Sequence, residues 1–309
     1  MTAPLYTPFS SFLASRFEGK VQKLSLNVGF SCPNRDGRIG RGGCAYCNNR
    51  SFNPAYCTAE KSIRQQLEEG KAFFARKYPA MRYLAYFQAY TNTYAPADEL
   101  MAMYEEALGV EGVVGLIIGT RPDCVEDELL DRLAELRTRT FVMMEYGVES
   151  VHDDVLQRVN RGHTFACAAD AIRRTAARGL DVGIHLILGL PGDDENRILD
   201  AADVVSQLPI NVLKLHQLQI VRDTPLAKEY LSAPEAFHLY PPEEYAGLVV
   251  SFLERLRPDI AVERFTSQSP PQMLIAPDWG MKNYEFVALV ERRLRARSTW
   301  QGRLYPYKS

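Results

Sequence analysis

The cysteines are the residues whose types and spacing most clearly suggest chemistry. The chain has six cysteines in 309 residues, and four of them, Cys32, Cys44, Cys47 and Cys57, lie in one short stretch. Six cysteines are too few for a disulfide scaffold in a chain of this length, and clustered thiols outside such a scaffold are typical of a metal site. The sequence therefore predicts that this stretch binds a metal ion or a metal cluster.

The first three of these cysteines follow the pattern C-x11-C-x2-C in a glycine-rich loop. Glycine allows the backbone to pass close to an inorganic core. Three thiolates can hold three irons of a [4Fe–4S] cluster and leave the fourth iron open to another ligand. The alternative is a zinc-stabilised binding or scaffold protein, in which Cys57 supplies the fourth ligand of a closed site. Position favours the cluster, because the loop directly follows the first predicted strand, where an α/β barrel places active-site residues.

The residues around these cysteines resemble a known family. The strings PNRDG and GRGGCAYCN, at 33–37 and 40–48, are similar to the cluster loop of the radical S-adenosylmethionine (SAM) superfamily, especially that of its YhcC/YtqA-type proteins. The likeness covers nearly the whole chain and includes the strings GTRPDC, NRGHT, LKLHQLQI and SQSP. The spacing departs from the superfamily's common C-x3-C-x2-C and is nearer the stretched form of the elongator catalytic subunit, a tRNA acetyltransferase.

The resemblance implies a cofactor, a co-substrate and a reaction. Cys32, Cys44 and Cys47 would bind a [4Fe–4S] cluster, whose open iron chelates the amino and carboxyl groups of SAM. Tyr46 would pack against that SAM. A one-electron donor of the flavodoxin or ferredoxin type would supply the electron that splits SAM into methionine and a 5′-deoxyadenosyl radical. The radical would abstract hydrogen from a substrate that the sequence does not identify, with tRNA as one candidate.

Further SAM contacts are expected after the second and third predicted strands. Ala89, Tyr90 and Thr91 stand where the superfamily has Gly-Gly-Glu or Gly-Gly-Thr, whose backbone receives the SAM amino group. Arg121 belongs to the GTRPDC string, in which Gly119 replaces the glutamate of the elongator sequence. Because arginine binds carboxylates and phosphates bidentately, Arg121 is a candidate cofactor-binding residue.

The fourth and fifth predicted strands supply more candidates. Glu149 takes the slot of a glutamine near SAM in coproporphyrinogen oxidase, and Arg161 lies at the same interval after it as the arginine that contacts the SAM carboxylate there. His185 replaces an aspartate near the sugar, with a buried core histidine as the alternative. Gly189 begins a Gly-Leu-Pro-Gly turn expected beside the adenine. Glu145 needs a ligand or an ion pair, because a buried charge is costly without a partner.

Three residues are candidates for a catalytic role toward the substrate. Alternation along the sixth predicted strand puts Lys214 and His216 on one face, which points either into the barrel or outward. Cys124 could donate a hydrogen atom, and a small buried hydrophobic residue is the alternative for it.

An alternation of strands and helices positions these residues. Strict alternation implies right-handed βαβ units, a parallel sheet, and ligands at the carboxyl ends of the strands. With the resemblance, it implies an α/β fold, a partial (β/α)6 TIM-like barrel of the radical SAM type with a C-terminal extension. We expect the core barrel over residues 1–257, with the cluster loop at 31–50, and the extension packed on it over 258–309. The predicted strands are 23–30, 81–90, 113–120, 140–148, 180–190 and 211–220, and the predicted helices are 59–77, 97–108, 126–136, 164–178, 194–207, 243–256 and 283–296.

The composition is that of an ordinary globular chain. Hydrophobic residues make up 46% and charged residues 24%, close to the averages for such proteins. The net charge of −2 provides no overall basic field for nucleic acid or a membrane. No apolar run approaches the roughly 20 residues that span a bilayer, and no signal peptide is visible. We therefore expect a cytoplasmic protein without a membrane partner.

The last residues form a locally basic tail. A basic segment with interleaved aromatic residues can bind RNA by neutralising phosphates and stacking on bases. The alternative is a solvated helix face. The residues concerned are Arg292, Arg293, Arg295, Arg297, Trp300, Tyr305 and Tyr307.

Overall fold

A computed structural model describes residues 4–51, 53–75 and 81–306. Its centre is a seven-stranded parallel sheet in which neighbouring strands follow one another in chain order. A separate pair of short strands is antiparallel. The strands of the large sheet are β1 (Val21–Leu26), β2 (Arg82–Phe87), β3 (Val113–Thr120), β4 (Phe141–Glu149), β5 (Asp181–Leu188), β6 (Val212–Gln217) and β8 (Ala261–Arg264), and those of the pair are β7 (Ile220–Val221) and β9 (Leu274–Ala276).

Helices connect successive strands and bury their apolar faces against the sheet. In the helix Asp127–Leu136, for example, Leu129, Leu130, Leu133 and Leu136 are buried, at the spacing of one helix face. No helix in the described residues is long and apolar enough to cross a membrane. The helices are α1 (Phe9–Ala14), α2 (Pro33–Asp36), α3 (Ile63–Ala75), α4 (Ala97–Leu108), α5 (Asp127–Leu136), α6 (Asp153–Arg158), α7 (Phe165–Ala177), α8 (Glu195–Ser206), α9 (Pro225–Ser232), α10 (Pro242–Arg255) and α11 (Asn283–Ala296).

The side chains on the inner face of the curved sheet form layers, because alternate residues of each strand point to the same face. The layer nearest the amino ends of the strands is apolar. It contains Leu84, Ile117, Met143 and Val212, and Phe9 of α1 belongs to the same cluster. A hydrophobic plug therefore closes this end of the barrel and leaves the carboxyl ends of the strands available for a ligand.

The next inward layer is ionic, and it joins the two edges of the sheet. Lys23 of β1 lies with its Nζ 2.6 Å from Glu263 Oε2 of β8, although these are the first and last strands. Pro8, just before α1, forms an isolated parallel bridge with Val262 of β8. The sheet is thus curved into a partial barrel, whose edge strands are linked by side chains.

The predicted α/β partial barrel is confirmed by this parallel sheet. The helices at 97–108 and 283–296 have the predicted ends, whereas the sixth predicted strand, 211–220, ends at Gln217. The predicted helix at 59–77 begins only at Ile63, and residues 76 and 77 lie outside the described residues. Strand β8 was not predicted, because it is short and its charged residues Glu263 and Arg264 interrupt the apolar pattern. It lies within segment 258–309, which therefore contributes a strand to the large sheet.

Candidate functional site

A cavity of about 440 Å³ opens at the carboxyl ends of the strands. This is the end of a parallel barrel at which ligands bind, because the loops that follow the strands converge there. The fold brings most of the predicted site residues, which are far apart in sequence, to its walls. Those that line it are Cys32, Cys44, Tyr46, Cys47, Tyr90, Thr91, Arg121, Glu149, Arg161, His185 and His216.

The cysteine loop is held in place by hydrogen bonds to the segment before Arg161. Asn34 Nδ2 donates to the Asn160 carbonyl at 2.6 Å, and Asn160 Nδ2 donates to the Gly43 carbonyl at 2.9 Å. The amide of Ala45 donates to the Val159 carbonyl at 2.8 Å. Protein contacts alone therefore fix the loop that presents the three thiols.

Of the loop cysteines, Cys44 is buried and Cys32 and Cys47 are half-buried, with arginine side chains nearby. Burial, reinforced by the neighbouring Cys44 thiol, raises the pKa of Cys47 to about 12. A thiol of this kind is protonated at neutral pH unless a bound metal ion deprotonates it. Arg161 Nη1 donates to Cys44 Sγ at 3.5 Å, so a guanidinium is available to stabilise negative charge on this sulfur.

Cys57 is separate from the other three cysteines of its stretch. It is only 2% exposed and does not line the cavity, and burial raises its pKa to about 12 against the effect of Lys61. In the part of the chain that the structure describes, no group of three or more His, Cys, Asp or Glu side chains could hold a single metal ion. The closed four-cysteine zinc site would need all four sulfurs around one ion. The cysteines do not have this arrangement.

Arg161 is fixed beside the end of β4. Its Nη2 donates to the Gly147 carbonyl at 2.5 Å and lies 3.8 Å from Glu149 Oε1. A Cβ on Gly147 would lie 2.5 Å from Glu149 Oε1 and 2.9 Å from Arg161 Nη2. A side chain at this position would therefore shift the ends of both charged side chains that reach the cavity.

Several buried polar atoms on the cavity walls have no partner within the described residues. These atoms include Thr91 Oγ1, Arg121 Nη1 and Arg161 Nε. Nearly all buried polar groups in proteins form hydrogen bonds, so unpaired ones at a cavity indicate a missing ligand. All three atoms can donate a hydrogen bond, and they therefore suit a ligand with acceptor groups such as a carboxylate.

Two residues of the cavity have unusual backbone conformations. Tyr90 has φ 60° and Glu149 has φ 72°, in the left-handed region that residues other than glycine seldom adopt. Tyr90 follows β2, and Glu149 ends β4. Such conformations cost about 1–3 kcal/mol each and cluster at ligand-binding sites. They turn the chain sharply where each strand meets the cavity.

Glu145 lies at the centre of the ionic layer and also lines the cavity. It is 1% exposed and accepts hydrogen bonds from Tyr86 Oη at 2.6 Å and Lys23 Nζ at 3.2 Å. It also pairs with Lys214 and lies 2.6 Å from His185 Nε2. Although burial favours the neutral acid, Lys214 and Lys23 hold the pKa of Glu145 well below its ordinary value. Of the two roles predicted for Glu145, the structure shows the ion pair.

Four predicted site residues do not line the cavity. Lys214 faces inward but lies in the ionic layer, where burial lowers its pKa to about 8 against the effect of Glu145 and Glu263. Ala89 is fully buried, and a Cβ on Gly189 would lie 3.1 Å from the ring of Tyr240. Cys124 is half-buried in the turn after β3.

The cavity also contains residues that the sequence did not single out. They come from β8 and the loop that follows it, and from the end of the cysteine loop. The SQSP string at 267–270 is one of the strings that carry the family resemblance. That resemblance could therefore have indicated that this loop lines the cavity. The additional lining residues include Arg264, Ser267, Gln268, Ser269, Asn49 and Ser51.

Most tail arginines that were candidates for RNA binding contact the protein itself. Arg293 Nε donates to Glu243 at 3.2 Å, Arg295 Nη2 donates to Glu291 at 3.0 Å, and Arg297 Nη1 donates to Ser251 at 3.2 Å. Arg292 and Trp300 are exposed, and Tyr307 lies outside the described residues. Two of these contacts are ion pairs on α11 and the third is a hydrogen bond at its end; RNA binding by the tail and a solvated helix face both stay predictions.

A partial parallel barrel with a thiol-lined cavity at the carboxyl ends of its strands is the architecture of a cofactor-dependent α/β-barrel enzyme. Comparison with protein families shows which group. The radical SAM superfamily matches residues 29–205, and the radical SAM C-terminal domain matches residues 210–296. The chain belongs to the radical SAM superfamily, and it is a radical SAM enzyme.

The relatives show which branch of the superfamily the chain represents. Protein YhcC of Escherichia coli (strain K12) is 39% identical over 293 residues, which cover 94% of this chain and 92% of that protein. The uncharacterized protein YtqA of Bacillus subtilis (strain 168) is 33% identical over 304 residues, which cover 98% of this chain and 94% of that protein. The chain is therefore a YhcC/YtqA-type protein, as its sequence motifs predicted.

A solved structure shares the fold. The archaeal Methanocaldococcus infernus Elp3 with an N-terminal deletion aligns with a TM-score of 0.65 at 15% identity. The alignment covers 91% of this chain and 64% of that one. At this identity the similarity establishes a common fold.

Proposed function

We propose that the protein binds a [4Fe–4S] cluster through Cys32, Cys44 and Cys47 and cleaves SAM reductively at the open iron. The main support for this proposal is the set of side chains that line one cavity. Three thiols lie on its walls together with the unpaired polar atoms of Thr91 and Arg161. The donor set fits the group, because three thiolates leave one iron of such a cluster free for SAM. Membership of the superfamily supports the same assignment.

The chemistry that such a cluster supplies is one-electron reduction of SAM, which yields methionine and a 5′-deoxyadenosyl radical able to take hydrogen from a substrate. The residues of the chain hold and orient the reactants. Arg161, already fixed by Gly147 and Cys44, offers its free Nε to the SAM carboxylate. Its guanidinium would bind the carboxylate through charge-assisted hydrogen bonds.

The other SAM contacts are those that the family resemblance implies, and the positions of their side chains on the cavity walls support them. The turn at Ala89, Tyr90 and Thr91 would receive the amino group, with Tyr90 and Thr91 directly at the cavity. Glu149 would accept hydrogen bonds from the ribose hydroxyls. Tyr46 and Arg121 complete the site, with Tyr46 beside the cysteine thiols and Arg121 presenting its free Nη1.

We also propose the partners and location that the sequence predicted. A one-electron donor of the flavodoxin or ferredoxin type would reduce the cluster, and the protein would act in the cytoplasm. An RNA substrate stays a prediction that rests on the likeness to the elongator subunit, since most tail arginines contact the protein itself.

A cleavage assay tests the proposed function. With dithionite and SAM under anaerobic conditions, the reconstituted protein is expected to form 5′-deoxyadenosine and methionine, quantified by liquid chromatography and mass spectrometry. Gly147→Ala is expected to raise the Kd for SAM, because the new Cβ shifts the ends of the Glu149 and Arg161 side chains. Loss of one charge-assisted hydrogen bond, which contributes about 1.5–3 kcal/mol, would raise the Kd about tenfold.

The matched control is Gly183→Ala on the neighbouring strand. A Cβ there meets nothing closer than 3.4 Å, so the Kd for SAM should stay near that of the wild type. A protein with a full complement of iron that forms no 5′-deoxyadenosine would contradict the proposed function. Equal SAM affinity in Gly147→Ala and Gly183→Ala would contradict the assignment of Glu149 and Arg161.

A further inference from the structure

Arg264 differs from the other arginines that line the cavity. Arg121 is paired with Asp123, Arg161 bonds to the Gly147 carbonyl and lies near Glu149, and Arg35 donates to the Cys47 carbonyl. Arg264, at the end of β8, makes no hydrogen bond or ion pair with any described residue, although it lines the same cavity. A guanidinium carries five donors and a permanent charge, so Arg264 is available to a ligand.

The charges around Arg264 do not balance. The ionic layer contains the ammonium groups of Lys23 and Lys214 and the carboxylates of Glu145 and Glu263. Each lysine lies within 3.3 Å of both carboxylates, so these four groups neutralise one another. Arg264 adds one positive charge that no described carboxylate matches. An uncompensated charge at the floor of a partly buried cavity is costly unless a ligand supplies the counter-charge.

His216 adds an unpaired nitrogen on the same side of the cavity. Its Nε2 is buried and has no hydrogen-bond partner within the described residues, and its ring lies 5.3 Å from that of His185. Burial, His185 and Arg264 hold the pKa of His216 well below its ordinary value. The imidazole is therefore neutral and can donate one hydrogen bond, while Arg264 supplies the charge.

The wall beside Arg264 is rigid. Gln217 Nε2 donates to the Ser267 carbonyl at 3.0 Å, and the Ser267 amide donates to Gln217 Oε1 at 2.7 Å. Ser269 Oγ donates to Gln219 Oε1 at 2.9 Å. These bonds tie the loop after β8 to the segment after β6, so the two strands that carry Arg264 and His216 form a fixed surface.

This surface is separate from the cysteine wall, and His216 joins it to His185, a predicted SAM contact. The groups whose pKa Arg264 influences are Lys23, Tyr86, Lys214, His216 and Glu263, all in or next to the ionic layer. The arginines near the thiols are Arg161, which bonds to Cys44, and Arg35, which donates to the Cys47 carbonyl. The cavity thus has cationic groups at its cysteine wall and a separate one, Arg264, at its β6–β8 wall.

We propose that the β6–β8 wall binds a carboxylate group of the substrate, held by the guanidinium of Arg264 and a hydrogen bond from His216. This inference rests on the proposed function, because it assigns the remaining part of the same cavity to the substrate. A carboxylate fits better than a phosphate monoester, since the layer has one unmatched positive charge and a phosphate monoester carries about −1.5 to −2. The planar guanidinium fork also matches the two oxygens of a carboxylate.

Anion-dependent thermal unfolding of the reconstituted protein tests the inference. Sodium acetate replaces sodium chloride at constant ionic strength, and inorganic phosphate is compared in the same way. Acetate is expected to raise the Tm of the wild type, because a ligand that binds only the folded state stabilises it. Arg264→Gln should lose at least half of that shift, whereas Arg292→Gln, at an exposed position on α11, should keep all of it.

Arg264→Lys and His216→Gln serve as second variants should Arg264→Gln not fold. Each is expected to lose part of the acetate shift, because lysine lacks the planar fork and glutamine lacks the imidazole geometry. Equal acetate shifts in the wild type and the Arg264 variants, or no shift in the wild type, would overturn the inference. A larger shift with phosphate that depends on Arg264 would overturn the carboxylate assignment. SAM cleavage by the wild type is measured separately. A failure of the proposed function is therefore distinguishable from a failure of the proposed carboxylate site.

Discussion

Alanine at Cys32, Cys44 or Cys47 is expected to abolish the formation of 5′-deoxyadenosine from SAM. Each of these thiols lies on the wall of one cavity, and a cluster held by only two protein thiolates would lack one of the three ligands that the site provides. We expect the iron content after anaerobic reconstitution to fall together with the activity. The measurement is iron and sulfide content per chain, with the cleavage assay on the same samples.

The matched control is Cys57→Ala. Cys57 belongs to the same stretch of sequence but is buried away from the cavity, so its loss should leave iron content and SAM cleavage close to those of the wild type. This control distinguishes a [4Fe–4S] cluster held by three cysteines from a zinc site held by four. A zinc site with four cysteines requires a strong effect of Cys57→Ala. Undiminished SAM cleavage in any one of the three cavity variants would refute the assignment of that cysteine.

Lys214→Met is expected to lower the free energy of unfolding by about 3–5 kcal/mol, the usual cost of removing one partner from a buried ion pair. Lys214 is 2% exposed and pairs with both Glu145 and Glu263. Without it, two buried carboxylates share the single ammonium group of Lys23. Urea-induced unfolding followed by circular dichroism measures the loss.

Lys61→Met provides the comparison for Lys214→Met. Lys61 Nζ lies 2.6 Å from Glu69 Oε2, but both side chains of this pair are considerably more exposed. An exposed pair contributes about 0–1 kcal/mol, so this variant should change stability little. A loss below about 1 kcal/mol for Lys214→Met would show that the ionic layer is not a stabilising part of the barrel. The same result would also contradict the assignment of Arg264, which assumes that the two lysines and two carboxylates of the layer neutralise one another.

The sequence was sufficient to predict the order of the elements because the strands are apolar on both faces. The strand at 113–120 has the predicted bounds for this reason, and the helix at 97–108 has them because it begins after Pro96 and ends before Gly109. The cysteine loop was equally clear, because glycines and thiols at a strand end have few other uses. The structure then placed all three thiols on one cavity, as expected from their position after β1.

Sequence reasoning missed Arg264 and the pairing of Glu145 with Lys214, because both depend on contacts across the barrel. Arg264 lies in a four-residue strand with an acidic neighbour, and nothing in that pattern indicates an inward-facing arginine. Glu145 and Lys214 are distant in sequence, and their pairing became visible only when β4 and β6 were placed in one sheet. The position of Lys214 below the cavity, and not on its wall, depends in the same way on the curvature of the sheet.

The central claim is that three cysteines hold a cluster with one iron open to SAM. Anaerobic reconstitution, with iron and sulfide assays and electron paramagnetic resonance of the dithionite-reduced protein, tests it most directly. We predict about four irons per chain and a reduced-cluster spectrum that changes when SAM is added. Bound zinc without an iron signal, or a cluster whose spectrum is unaffected by SAM, would contradict the account.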